Sequence, residues 1–182
     1  DTTGEMIGAA AGLKDALGAP LMVAVIGDED GSLAAAANLE GVDEVLSIAA
    51  PDAHFDAALY EEVVCALAGE RSPGAIFIAH SASGMAYGPA VAARLGSGFA
   101  SDVFDIQADG GEITVTRGGY GGKVNIELGF PGKSCVTLMP RGATFPAPEG
   151  KGDAAVTEIA PDFSALAGRA THVEYQPAPP AD

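Results

Sequence analysis

Apolar positions recur along this chain in two alternating patterns. Met6, Ile7, Ala10, Leu13 and Leu17 fall at helical spacing and Gly18 follows as a stop signal, which predicts a helix over 4–17. Leu21–Ile26 is instead an unbroken apolar run, the pattern of a strand buried on both faces. The alternation then repeats. A short helix is expected from Ser32 to Leu39 and a strand over Glu44–Ile48. A longer helix runs from Phe55 to Ala68, with Leu59, Val63, Ala66 and Leu67 on one face. Another buried strand covers Ala75–Ala79, and a helix runs from Met85 to Leu95, closed by Gly96. Strands and helices linked by short connections predict βαβ units and a parallel sheet.

Beyond Gly96 the pattern changes. Asp102–Gln107 is strand-like, and Asp109-Gly110-Gly111 is a turn signal. Ile113–Arg117 and Lys123–Leu128 alternate polar and apolar, which predicts antiparallel hairpins with one solvated face. Ser134–Met139 is a further buried strand and 140–153 a Pro- and Gly-rich loop. Val156–Ile159 and His172–Tyr175 are candidate edge strands. The expected fold is therefore α/β: a Rossmann-like three-layer sandwich with a mostly parallel sheet plus C-terminal antiparallel hairpins. A single domain over 1–176 followed by a Pro-rich tail over 177–182 fits the 182 residues.

Charge narrows the function classes. With 25 acidic against 9 basic side chains the formal net charge is −16, which argues against nucleic acid and against anionic membrane surfaces. The acids are scattered, so the expectation is a solubilising surface of a kind suited to a saline habitat. No run is long enough to span a membrane and no signal peptide opens the chain, as expected of a cytoplasmic bacterial protein. The opening at Asp1-Thr2-Thr3 has the character of a helix N-cap, with Glu5 in the first turn. Cys65 and Cys135 sit in apolar runs and read as small buried hydrophobes. His54, His80 and His172 are far apart, with no metal-ligand spacing.

Two loops lie where ligands collect in open α/β sheets, at the carboxyl ends of strands. In the first, His80, Ser81, Ser83 and Gly84 form a small polar loop that is the candidate nucleotide site. Its competing reading is a helix start capped by Ser81 or Ser83. Adjacent Ser and His on one loop rarely reach nucleophile–base geometry, and no Gly-x-Ser-x-Gly elbow is present, so a hydrolase is disfavoured. In the second, Gly27–Gly31, the carboxylates repel phosphate. They suit a ribose hydroxyl or a cation, and more simply a solvated turn. Gly118–Lys123 is rich in glycine but is followed by strand-like residues rather than a helix. It reads as a hairpin, not a phosphate loop.

The order of several segments resembles a known family. The segments are Gly41–Leu46, the His54-Phe55 helix start, Pro89–Gly96, Ser101-Asp102-Val103 and Thr116–Lys123. Together they resemble the N-terminal domain of electron transfer flavoprotein alpha subunits, also called the FixB family. The resemblance implies a heterodimer with a beta-type subunit, FAD held by an alpha C-terminal domain, AMP held by the beta subunit, and electrons received from flavin dehydrogenases. It implies a scaffold and docking role with no catalytic residue in this part. Three departures accompany it. The FAD-binding domain is not in this sequence, the family's first β-strand ahead of the first helix is missing, and Met85 stands where the family carries a basic residue. Losing that strand should leave its neighbours' backbone groups unpaired. The alternatives are a stand-alone adenine-nucleotide-binding module using the two polar loops, or a subunit of a larger flavin dehydrogenase complex.

Overall fold

The structure is a computed structural model and describes residues 2–50, 54–166, 173–174 and 176–177. The candidate strand at 172–175, the cap at Asp1 and most of the tail fall wholly or partly outside those residues.

Helix α1 (Thr2–Leu17) leads through Gly18, in the left-handed region at φ 59°, to β1 (Met22–Ile26). Helix α2 (Ser32–Ala37), β2 (Glu44–Ile48), α3 (Ala57–Arg71), β3 (Ala75–Phe77) and α4 (Ala82–Leu95) continue the alternation. Then come β4 (Gly98–Asp109), β5 (Glu112–Gly119), β6 (Val124–Gly129), β7 (Val136–Pro140) and β8 (Ala155–Ile159), closed by a 3-10 turn at Ser164–Leu166. Asp109 pairs with Glu112 across Gly110 and Gly111, both at positive φ, so this expected turn is a two-residue hairpin of the kind that matches strand twist. Helix α3 begins where Asp56 accepts hydrogen bonds from the Ala58 and Leu59 amides.

The strands form two sheets rather than the single one expected. One has the order β1-β2-β8 and is parallel throughout; the other has the order β3-β7-β4-β5-β6. In the second, β3 and β4 run parallel to β7, while β4-β5-β6 form the antiparallel hairpins. Helices α1 and α2 cover one face, with Ile7, Ala34 and Ala37 packed on Val25 and Val45. On the other face Leu59 and Val63 of α3 pack on Leu46 and Ile48. Leu13 of α1 also joins Ala100, Val103 and Leu138 of the second sheet, so α1 ties the sheets together. The architecture is the expected three-layer α/β sandwich, cut along one line.

That line is a groove between β1 and β3, and it changes the burial foreseen for both strands. Ala24 is exposed and every residue of β3 is only half-buried, although their sequence reads as fully enclosed. Among the described residues, no helix is long and apolar enough to cross a membrane.

Candidate functional site

The polar loop after β3 is organised by helix α4. Ser81 has extended backbone geometry, and its hydroxyl accepts a hydrogen bond from the Gly84 amide at 3.1 Å, the N-cap arrangement. Gly84 is buried because α4 passes very close to the end of β3; a Cβ there would lie 2.0 Å from the Ala79 carbonyl oxygen. Ser83 is exposed on the first turn, and neither serine is hydrogen-bonded to His80. His80 turns the other way. Its amide donates to the Pro140 carbonyl at 3.1 Å, and its Nδ1 lies 3.8 Å from Asp102 Oδ1. The structure thus separates the imidazole from the two hydroxyls that sequence placed beside it.

His80 instead joins a cluster built by three distant segments. Asp102 sits at a β-bulge in β4, with register shifts on both sides, and holds φ at 60°. Asp is one of the few non-glycine residues that accept this conformation readily. Its carboxylate accepts two hydrogen bonds from Arg141, Nε to Oδ1 at 2.7 Å and Nη2 to Oδ2 at 2.8 Å. The Arg141 guanidinium lies 5.0 Å from the Phe104 ring centre, and its amide donates to the Val103 carbonyl. Arg117 of β5 is paired with Val103 and adds positive charge, and its buried Nε has no hydrogen-bond partner among the described residues. Gly118 leaves the room, because a Cβ there would come within 3.0 Å of both Arg141 and Asp102.

Hydrogen bonding from Arg141, reinforced by the charges of Arg141, His80 and Arg117, holds the Asp102 carboxyl below the usual carboxylate range. A carboxyl depressed in the folded state stabilises the fold above its unfolded value near ~3.9 and loses that contribution as pH falls through the folded value. The pair is partly exposed, so its effect is modest. Asp102→Asn keeps a residue that tolerates positive φ but removes the charge, and is expected to lower Tm by about 2–4 °C at pH 7. Asp102→Ala should lower it by roughly twice as much, since left-handed backbone is added to the loss. Thermal unfolding followed by circular dichroism at pH 7 and below pH ~4 should show the gap between wild type and Asp102→Asn closing in acid.

The second polar loop is spent internally. Asp28 is buried, and its carboxylate accepts from the Leu33 and Ala34 amides at 2.8 and 2.9 Å. It therefore supplies the cap that Gly31 lacks, rather than facing a ribose or a cation. No grouping of His, Cys, Asp and Glu suited to a metal occurs among the described residues. Cys65 and Cys135 are free thiols; Cys65 is buried and Cys135 half-buried, and burial pushes both thiols up, away from reactivity. The Gly118–Lys123 segment is the β5–β6 hairpin end, with Tyr120, Gly121 and Gly122 at positive φ and Tyr120 82% exposed.

Sequence reasoning missed Asp102, Arg117 and Arg141 as site residues. The signal was present in Ser101-Asp102-Val103 and Thr116-Arg117, which it used only as marks of resemblance.

Comparison with known proteins agrees with that resemblance. The electron transfer flavoprotein domain family matches residues 1–164. The electron transfer flavoprotein subunit alpha of Methylophilus methylotrophus is 37% identical over 171 residues, which is 94% of this chain and 53% of that protein. Protein FixB of Clostridium saccharobutylicum is 32% identical over 130 residues, 70% of this chain and 39% of that protein. The electron transfer flavoprotein subunit alpha of Bacillus subtilis is 32% identical over 100 residues, 54% of this chain and 31% of that protein. The chain spans about half the length, or less, of the curated relatives it matches.

Proposed function

We propose that this chain, which belongs to the electron transfer flavoprotein domain family, is the scaffold and docking part of an alpha-type subunit, associating with a beta-type subunit and serving electron transfer from flavin dehydrogenases. The observation that carries this reading is the match along 94% of the chain to about half of a named alpha subunit. The polar cluster is consistent with a scaffold: the Asp102 carboxylate and the Arg141 guanidinium are engaged with each other, and the His80 and Arg141 amides with backbone carbonyls. In this reading the protein is a cytoplasmic heterodimer component.

The residues present do not fit FAD. A dinucleotide needs donors for its diphosphate beside an apolar slot. The large groove is apolar, but the cations at its rim are already paired, Lys14 with Asp43 at 2.7 Å and Arg71 with Glu44 at 3.1 Å. The flavin of the electron carrier is accordingly assigned outside this chain, and AMP to the partner subunit.

Co-expression with a beta-type subunit, followed by native mass spectrometry, tests the reading. A one-to-one complex in which the isolated chain carries no flavin is expected. No association at any ionic strength would overturn it. A second reading, adenine-nucleotide binding at His80, Ser81, Ser83 and Gly84, draws on their place at the amino end of α4. Saturable AMP binding by the isolated chain, abolished by Gly84→Ala but not by changes in the β1–β3 groove, would move the function to that module.

A further inference from the structure

Strand β8 is weakly held for a member of a parallel sheet. None of its five residues is buried and Val156 is 50% exposed, whereas β2 beside it buries Val45, Leu46 and Ile48. Among the described residues β8 pairs only with β2, from Glu44 opposite Ala155 to Ile48 opposite Ile159. Along that register the Thr157 hydroxyl donates to Glu44 Oε1 at 2.7 Å. Little buried apolar surface and a ladder on one side only are the marks of a segment that opens below the free energy of global unfolding.

The chain ahead of β8 is fastened in two different ways. Residues 143–147 are pressed onto α1. The Ala143 amide donates to Glu5 Oε2 at 2.9 Å, a Cβ at Gly8 would overlap the Pro146 carbonyl oxygen, and one at Gly4 would lie 2.8 Å from Ala147 Cβ. Residues 150–154 are held instead by the turn after α2. The Glu40 amide donates to the Gly150 carbonyl and the Gly152 amide to the Asn38 carbonyl, both at 2.9 Å. The Asn38 side chain completes the set: Nδ2 donates to the Ala154 carbonyl at 2.8 Å, and Oδ1 accepts from the Ala154 amide at 3.1 Å. One side chain thus supplies both halves of a ladder rung at the point where β8 begins.

The far side of β8 is anchored as well, because Phe163 and Leu166 pack on the cluster of Leu46, Ile48, Leu59 and Val63. Pro148 and Pro161 bracket the stretch between the two anchors, and a proline has no N–H to carry a ladder past itself.

We propose that residues 150–159 form a flap that opens from β2 as one unit between anchored ends at Ala147 and Phe163, with the Asn38 side chain as its latch. Opening bares the ladder border of Glu44–Ile48, which is a template for a strand from another chain. The flap is therefore a cover on a strand-pairing border. It stands on the hydrogen bonds around β8 and is independent of the docking role.

The test uses the full chain carrying Leu39→Cys and Lys151→Cys. These positions form an antiparallel pair, flanked by the Glu40–Gly150 and Gly152–Asn38 bonds. They are therefore a non-hydrogen-bonded pair, whose Cα atoms lie about 4.5 Å apart, within disulfide range. Amide hydrogen exchange followed by mass spectrometry is the readout. In the reduced protein, peptides covering 152–159 are expected to exchange at least about tenfold faster than those of the buried β7. Oxidation should slow 152–159 at least about tenfold and leave β7 unchanged. Exchange of 152–159 at the rate of β7 in the reduced protein, or unchanged exchange once the mass shows the disulfide formed, overturns the proposal. In the otherwise unaltered chain, Asn38→Ala keeps the backbone N–H that bonds the Ala34 carbonyl at the end of α2 and removes the latch. It should quicken 152–159 at least about tenfold and leave α2 unchanged. Equal quickening of α2, or none in 152–159, overturns the role of Asn38.

Discussion

Replacing Gly84 by Ala is expected to destabilise the protein by about 3 kcal/mol. In an ordinary helix the same change helps by about 1 kcal/mol, so the sign depends on what the new methyl meets. Here the methyl would sit 2.0 Å from the Ala79 carbonyl oxygen and 3.2 Å from Ile78 Cγ2. The first is backbone and cannot swing aside. That oxygen also accepts from the Ser81 amide at 2.8 Å, so relief by moving α4 disturbs its own N-terminus. Gly12→Ala in α1 is the matched control: nothing lies within 4 Å of its added Cβ, and it should stabilise by about 0.5–1 kcal/mol. Urea unfolding of both variants decides the matter. A Gly84→Ala protein within about 1 kcal/mol of wild type would mean that α4 does not approach β3 this closely.

Leu138→Ala is expected to cost about 3–4 kcal/mol. Leu138 is wholly buried on β7, the strand flanked by β3 and β4, and shares a cluster with Leu13, Ala100, Val103 and Val115. Strands on both sides limit how far the site can collapse, so most of the cavity should persist. The urea midpoint should fall with little change in slope, because the surface exposed on unfolding is nearly the same. A loss below about 1 kcal/mol would show that this cluster repacks freely.

Much of this fold was legible because its elements carry strong local signals. The 4–17 helix, the Glu44–Ile48 strand and the Gly110-Gly111 turn fall where periodicity and turn chemistry put them. The start of β4 was not legible. Gly98–Ser101 is built of small residues with Phe99, and Gly98 is small because Phe130 packs on it; an added Cβ would lie 2.5 Å from the ring. A requirement set by a residue far along the chain leaves no local pattern. The same holds for β8, whose short run gives no hint that it pairs parallel with β2. The polar cluster shows the limit most clearly. Asp102 and Arg141 lie 39 positions apart and meet only because β7 runs beside β4. His80 drew attention by standing next to serines, yet the side of the loop on which it sits is decided by strand order, not by sequence neighbours.

Among the described residues the cut through the sheet leaves four strands, β1, β3, β6 and β8, each bordered on one side only. Exposed strand borders are templates for pairing between copies of a chain. β6 carries polar Asn125 and Glu127 beside Lys123, but Met22–Ile26 and Ala75–Phe77 have no charged side chain to deter a second molecule. The burden of keeping copies apart therefore falls on long-range repulsion from the net charge of −16. Acidification towards the isoelectric point near 4.2 removes that repulsion, and molar salt shortens its reach to about 3 Å. Under either condition the backbone groups along the facing borders of β1 and β3 become a route to aggregation.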